Sequence, residues 1–423
     1  MPASNLQGVQ NLGGFHFKEP SNRIASNRSN HHVSNPTPKT RLYSPTFLLL
    51  QVSNFLFAGS FSMILPELPA YLTSLGGEDL KGLIIGLFAT MAAVSRPIAG
   101  KLADRVGRVP PMILGTLVCV VCSALYPFLT TLTGFFLLRF LHGASTGFKP
   151  TAATAYVADL SPVHRRGEAL GINSVSSNVG FSLMPVFGSW LAQTYGIDTL
   201  FYTSSGLALV SILILLRLRE TLTAPEPFRW KLLHLSRREI LEPTALPPAI
   251  VTVLVYFPYG VVLTIIPDQA DFLGVSNRGL FYTYFTMTSI LSRIIAGKAS
   301  DRYGRLPVMM VAALAVSVSL VLIGYAAAPW QLMAGGALLG FSLGIGSPAV
   351  FAWTVDRAPD RVRGSAMATI YVALEVGIAA GALLSAYLYA NNPANFSTAF
   401  LVTAGWTLLA VPYLIWFRRR RVV

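Results

Sequence analysis

The chain has 423 residues, 53% of them hydrophobic and 12% charged, with a mean hydropathy of +0.56, which excludes an ordinary soluble domain of this length. Its formal charge of +14 does not mark a nucleic-acid binder, because the basic residues are spread over seven short segments. Residues 1–44 are rich in Asn, Ser and Pro without an apolar period, and are expected to form a disordered cytoplasmic tail. They lack the apolar core and cleavage site of a signal peptide, although few acids and scattered Arg also fit an organellar transit peptide.

Twelve apolar stretches follow, each long enough to cross about 30 Å of hydrocarbon at about 1.5 Å per residue. They are read at 45–70, 82–103, 111–131, 134–157, 168–193 and 197–217, then at 247–271, 277–299, 307–327, 330–356, 365–390 and 395–417. The fold class predicted is an all-α membrane protein of two six-helix bundles, at 45–217 and 247–417. A polar, proline-broken central loop at 218–246 joins them, and a basic tail at 418–423 ends the chain. Within the loop, Phe228 to Leu241 sets Trp230, Leu233 and Leu235 against Arg237 and Arg238, a spacing that predicts an amphipathic helix on the membrane surface.

Charge sets the expected orientation. Of 32 Lys and Arg, 26 lie in the two tails and alternate loops, among them Arg105, Arg165, Arg237, Arg302, Arg361 and Arg418. The intervening loops hold only Lys81 and Arg278. Both termini are therefore expected in the cytoplasm, in an integral multi-pass protein of the plasma or inner membrane. Cys119 and Cys122 form a C-x-x-C in the third span, but their apolar neighbours suit packing better than redox chemistry.

The chain is also a duplication. SRPIAGKLADRVGRVP (Ser95 to Pro110) recurs 197 residues later as SRIIAGKASDRYGRLP (Ser292 to Pro307), with 11 of 16 positions identical. The same offset carries Arg139-x-x-x-Gly143 to Gly336-x-x-x-Gly340, and Asp159-x-x-Pro162-x-x-x-Arg166-Gly167 to Asp356-x-x-Pro359-x-x-x-Arg363-Gly364.

The run Gly100-Lys101-Leu102-Ala103-Asp104-Arg105-Val106-Gly107-Arg108 resembles the signature loop between the second and third helices of the major facilitator superfamily. The resemblance covers nearly all of the chain after residue 44. It implies two bundles rocking about a central site near mid-membrane, with spans 1, 4, 7 and 10 lining the cavity. Span 4, with Arg139 to Gly143, resembles the signature of the 12-span drug–proton antiporter branch, His142 replacing the usual Gln. Span 5 (Gly180 to Ser189) resembles a further antiporter pattern, with Met184 and Ser189 in place of two glycines.

In the repeated loop, Gly100 and Gly107, with their copies Gly297 and Gly304, allow close approach and a tight turn. Asp104 at a membrane face suits the positive N-terminus of a neighbouring helix. The resemblance implies that this is span 11, near Gly364, and that Asp301 meets span 5 near Gly167. Arg105, Arg108, Arg302 and Arg305 are expected to bridge to Asp159 and Asp356. These contacts require a closed inner face and would favour the outward-open state.

Ionisable groups within the spans are functional candidates. Arg139, His142, Thr146 and Lys149 fall on one face of span 4, and the stripe is expected to face a water-filled cavity or a partner carboxylate. Glu375 lies near the midplane of span 11, and its counterpart across the repeat is Asn178. A lone carboxyl at that depth resists ionisation unless a cation pairs with it, as suits a proton site. Glu67 and Asp268 follow prolines near the outer ends of spans 1 and 7, where they serve coupling or simply reach the outer surface. Snorkelling to the inner face explains Arg96 and Arg293 as well as function does.

No nucleophile elbow, metal cluster or phosphate-cradling loop appears, so no enzyme, metal or cofactor is expected. The expected partners are the lipid bilayer, protons and a small-molecule substrate, with no nucleic acid, and the protein is expected to act as a monomer. The leading expectation is proton-coupled efflux of small amphipathic compounds, anionic or zwitterionic because of the cationic stripe. Tyr256, Tyr259 and Tyr282 or Tyr284 are candidates to stack on the substrate. The alternatives are a symporter or facilitator importing a sugar or organic acid, and a non-transporting receptor or scaffold.

Overall fold

The structure is a computed structural model that describes residues 43–162, 165–235, 241–359 and 363–420. The first tail up to residue 42, Arg237, Arg238, Arg361 and residues 421–423 lie outside the described residues. So do the side-chain surroundings of Gly167, Gly297, Lys298, Arg363 and Gly364.

Fourteen α-helices are described: α1 (Pro45–Ile64), α2 (Leu68–Ser74), α3 (Lys81–Arg105), α4 (Val109–Leu125), α5 (Leu132–Leu160), α6 (Arg166–Tyr195) and α7 (Ile197–Leu215), then α8 (Leu246–Phe272), α9 (Leu280–Tyr303), α10 (Arg305–Gly324), α11 (Pro329–Arg357), α12 (Arg363–Tyr389), α13 (Phe396–Leu408) and α14 (Ala410–Arg420). Eight helical stretches among the described residues are long and apolar enough to cross a membrane. α4 is apolar but shorter. α5, α6 and α9 have the length but carry more polar residues, such as Arg139 and Lys149 in α5.

Local chemistry sets the ends of these rods. Ser44 Oγ accepts from Phe47 N at 3.2 Å, and Pro45 fills the first helical position of α1. α1 stops where Pro66 supplies no N–H, and α2 resumes after Glu67 as its continuation. α13 and α14 are likewise separated by Leu409 alone. Between α3 and α4, Gly107 turns the chain at φ +137°, and its copy Gly304 does so between α9 and α10 at φ +87°. An added Cβ at Gly107 would stand 2.6 Å from Glu220 Oε2. Its neighbours explain that proximity: Glu220 accepts from the N–H groups of Arg108 (2.9 Å) and Val109 (3.0 Å), capping the start of α4.

The packing follows the repeat. α3 lies on α5 as α9 lies on α11, and α1 lies on α6 as α8 lies on α12. Small residues make the approach possible at matching positions: a methyl on Gly143 or Gly147 of α5 would strike Phe88 O or Ser95 Oγ of α3. On Gly340 or Gly344 of α11 it would strike Phe285 O or Ser292 Oγ of α9, each atom 197 residues on. Across the two halves, α3 meets α12 and α6 meets α9.

The central loop departs from expectation. Of the amphipathic helix expected from Phe228 to Leu241, residues 236–240 lie outside the described residues; among the described ones Trp230–Leu233 forms a short 3₁₀ turn, and Phe228, Arg229, His234 and Leu235 are not helical. Trp230 is 80% exposed. The loop is tied to the first half by polar contacts instead: Arg105 pairs with Glu226 at 2.9 Å and Lys101 donates to His234 O at 2.8 Å.

Candidate functional site

A cavity of about 920 Å³ lies between the two halves. Its walls combine aromatic rings (Phe57, Phe88, Phe181, Tyr256, Tyr259, Phe285, Tyr371) with a few polar side chains: Arg96, Thr146, Asn178, Ser289, Arg293 and Glu375. It runs toward the end of the bundle that carries the repeated loops, where Lys101, Asp104 and Arg105 line it. This is also the end where Pro45 begins α1 and the central loop is attached, and it is called the tail end below.

Inside the cavity, Arg96 of α3 and Glu375 of α12 form an ion pair. Arg96 donates its Nε (3.1 Å) and an Nη (2.5 Å) to the same oxygen of Glu375. The two side chains are 13% and 8% exposed, so the pair is largely withdrawn from water. The guanidinium also lies 5.1 Å from the centre of the Tyr371 ring.

The opposite end is bolted by ion pairs that cross the halves. Lys81 at the start of α3 meets Asp268 in α8 at 2.5 Å. Arg278, in the turn before α9, meets Glu67 at 2.5 Å and Asp271 at 2.7 Å. Ser189 of α6 donates to the other oxygen of Glu67 at 2.6 Å. Asn277 donates to Val186 O, and Asn391 to Glu78 O and to the Asp79 carboxylate. Glu67 and Asp268 therefore do not project to the outer surface; they bind the two cations, Lys81 and Arg278, that the charge pattern isolates. Burial disfavours the Arg278 charge, but hydrogen bonding to Asp271 and the attraction of Glu67 outweigh it and hold the guanidinium above its ordinary pKa.

At the tail end no ion pair among the described residues joins the halves. Asp104 and Asp301 are 72% and 70% exposed, and the surroundings of Gly364 and Gly167, where the two were expected to dock, lie outside the described residues. Each stays within its own half. Arg108 bridges Asp104 (2.6 Å) and Asp159 (3.0 Å), and Arg305 bridges Asp301 (2.5 Å) and Asp356 (3.2 Å). Arg105 turns to Glu226 and Arg302 lies over the Tyr303 ring, so these two do not bridge to Asp159 or Asp356. Gly100 lines the cavity wall. The arrangement is closed at the far end and parted at the tail end.

The polar stripe of span 4 requires correction. Arg139, His142 and Lys149 have no exposed surface and face the interior of the first half, not the cavity; Thr146 alone of the four lines it. Lys149 Nζ donates to Ser53 O (2.8 Å), Ser53 Oγ (2.9 Å) and Ser211 Oγ (2.7 Å), tying α5 to α1 and α7. Arg139 donates to Ile84 O at 3.1 Å and Tyr126 Oη at 3.3 Å, and lies over the Phe88 ring. His142 stands between Tyr126 Oη and Cys119 Sγ, each at 3.3 Å. Carbonyls, hydroxyls and ring faces meet these side chains where a carboxylate or water was expected, although one Nη of Arg139 is buried without a hydrogen-bond partner. A stripe on one helix face shows that lipid is excluded, but not whether a neighbouring helix or a cavity lies opposite.

The tyrosines divide similarly. Tyr256 and Tyr259 line the cavity, whereas Tyr282 is buried outside it and Tyr284 is 49% exposed on the outer surface. Arg96, Arg293, Lys81 and Arg278 were not picked out as site residues from sequence. The repeat carried a usable signal: the offset that relates Glu375 to Asn178 also relates Arg96 to Arg293.

Known proteins resemble most of the chain. The family model described as Major Facilitator Superfamily matches residues 50–246 and 248–423. A protein named multidrug resistance protein MdtG from Enterobacter lignolyticus is 31% identical over 379 residues, covering 85% of this chain and 88% of that one. The protein of that name from Salmonella typhimurium is 29% identical over 388 residues, covering 87% and 94%. Among solved structures, the human organic anion transporter MFSD10 (TETRAN) superposes with a TM-score of 0.68 at 19% identity, covering 89% of this chain and 100% of that one. A peptide transporter, POT, in complex with sulfate superposes with a TM-score of 0.75 at 17% identity, covering 89% and 94%. At those identities the structural likeness speaks for the fold, and the family match for descent. The chain belongs to the major facilitator superfamily of membrane transporters, and within it resembles the drug–proton antiporter branch.

Proposed function

We propose that the protein is a proton-coupled exporter of small amphipathic organic compounds, working by alternating access, with Glu375 as the proton carrier. The observation that carries this reading is the Arg96–Glu375 pair, which joins the two halves inside the cavity. An ionised carboxylate held by a guanidinium is the form a proton site takes after releasing its proton. It is found here in the arrangement open at the tail end. With the tails in the cytoplasm, as the Lys and Arg distribution supports, this is the state that has discharged its proton inward and admits substrate from the cytoplasm.

The cycle follows from charge. Opening at the far end breaks Lys81–Asp268 and Arg278–Glu67 and exposes the cavity to the outside. A proton on Glu375 removes its attraction for Arg96, changes the charge lining the cavity and favours release of the substrate. Return to the tail-open arrangement delivers the proton to the cytoplasm and restores the pair. The MdtG relatives, named for multidrug resistance, support efflux as the direction.

The test is transport into inside-out vesicles, in which efflux appears as uptake. A panel of aromatic carboxylates, zwitterions and cations is offered with and without an acidic lumen. Uptake of at least one compound driven by lumenal acid supports the reading. Uptake driven instead by external acid would make the protein an importer, and uptake indifferent to pH would remove the proton from the cycle.

A further inference from the structure

The repeat pairs the polar residues of the cavity as well as its helices. A step of 197 carries Arg96 to Arg293 and Asn178 to Glu375. α3 meets α12 across the halves as α9 meets α6, and all four residues line the same cavity. On one side, Arg96 and Glu375 neutralise each other. On the other, Asn178 holds the carboxylate's place. Among the described residues no acid pairs with Arg293. Arg293 Nε and Asn178 Nδ2 are both buried, and neither has a hydrogen-bond acceptor.

Two buried N–H donors without acceptors are costly, and one of them belongs to a permanent charge. Snorkelling does not relieve it, because Nε itself is withheld from water. An acceptor arriving with the substrate would, once the two side chains, which line the cavity, turn these donors toward it. We infer that Arg293 and Asn178 form an anion subsite that takes the carboxylate of an amphipathic substrate, completing with the ligand the ion pair that Arg96 and Glu375 complete with the chain's own acid. A guanidinium presents a planar fork suited to two carboxylate oxygens. Phe181, Tyr256 and Phe285 offer apolar and aromatic surface in the same cavity for the rest of the molecule. The inference rests on the transport reading only in taking this cavity as the place of the substrate. It also moves the source of anion preference from the buried stripe of α5 to the contact between the halves, where Arg293 of α9 and Asn178 of α6 line the cavity.

The test is equilibrium binding to the purified full-length protein in detergent, followed by pyrene emission, with no gradient present. The probes are 1-pyrenebutyrate, its neutral amide, and the corresponding pyrenylbutyl trimethylammonium ion. The wild type should bind the carboxylate about tenfold or more tighter than the amide, as expected for a charge-assisted hydrogen bond withdrawn from water, and the cation most weakly. Arg293→Gln should abolish the preference. Asn178→Asp should abolish it too, by supplying the missing acid internally; because it copies the Arg96–Glu375 pair already present at the other contact between the halves, it guards against a folding failure in the first variant. Equal binding of carboxylate and amide by the wild type, no binding of the carboxylate, or a preference that survives Asn178→Asp overturns the inference. Since no transport is involved, failure here leaves proton carriage by Glu375 standing, and loss of coupling at Glu375 leaves this preference standing.

Discussion

Arg96 and Glu375 stand 279 residues apart in the chain, yet their side chains meet at 2.5 Å inside the cavity, one from each half. An ion pair in that position links the charge state of one carboxyl to the relation between two bundles. Arg96→Gln should uncouple the two while leaving the fold intact, because Gln still donates a hydrogen bond to Glu375. The expected outcome is a transport rate that no longer rises with an inward proton gradient, measured in vesicles beside the wild type.

Arg278 is the hinge pin of the closed far end, since it holds Glu67 and Asp271 at once and is 19% exposed. Removing one partner of a largely buried pair leaves the others uncompensated. Arg278→Ala should shift the population toward far-end opening by about tenfold or more, a change that takes about 1.4 kcal/mol. Double electron–electron resonance between spin labels on the far ends of α3 and α8 should show a longer distance gaining weight. An unchanged distribution would mean that the pair decorates the closed state without holding it.

Lys149 is expected to have a structural part rather than a transport one. Its Nζ donates to three acceptors on α1 and α7, so Lys149→Ala leaves a cavity and takes away the donor that joins Ser53 and Ser211 to α5, leaving the two serines bonded only to each other. A loss on the order of 2–4 kcal/mol is expected, read as a fall of several degrees in thermal stability in detergent. Substrate charge preference should not change. A variant with normal stability and altered charge preference would return Lys149 to the binding site.

Glu220 caps the start of α4 and is expected to make that turn sensitive to acid. Partial burial disfavours its charge, but the N–H groups of Arg108, Leu222, Val109 and Thr221 outweigh this and hold the carboxyl below its ordinary pKa of 4.5. A lowered folded value means that the cap's contribution is complete above 4.5 and is lost as pH falls through the folded value. Amide exchange at Arg108 and Val109, corrected for intrinsic rates, should therefore accelerate as pH drops below 4.5 in the wild type. In Glu220→Gln that additional acid dependence should vanish. Gly107→Ala should disturb the same turn at every pH, because its methyl group would meet the Glu220 carboxylate and its φ would be strained.

The fold was legible because its signals are local or periodic. Apolar length marks the rods, and the 197-residue repeat announces that the second half copies the first, which the matched collisions at Gly143 and Gly340 reflect atom for atom. Glu375 could be found from its depth in a span. Its partner could not, because Arg96 lies near a loop and depth alone allows it to reach the surface. Periodicity also failed at Arg139, His142 and Lys149. It gives the face of a helix on which a charge lies, while the choice between cavity and neighbouring helix depends on which serines and carbonyls tertiary packing brings opposite. Ser53 and Ser211 are ordinary small residues in sequence, and nothing in their spacing announces an ammonium site. In the same way Lys81 and Arg278 stood out only as exceptions to a charge pattern, and their part in joining the halves shows only with Asp268 and Glu67 beside them.

Proton carriage by Glu375 is tested most directly by watching protons move with substrate. Proteoliposomes containing the wild type or Glu375→Gln, with a pH-sensitive dye in the lumen and no imposed pH gradient, are given a substrate of the wild type on the outside. The account expects substrate entry to drive protons out, raising lumenal pH in the wild type, with no pH change in Glu375→Gln even where substrate still exchanges. A substrate-driven proton flux of wild-type size in Glu375→Gln would contradict it.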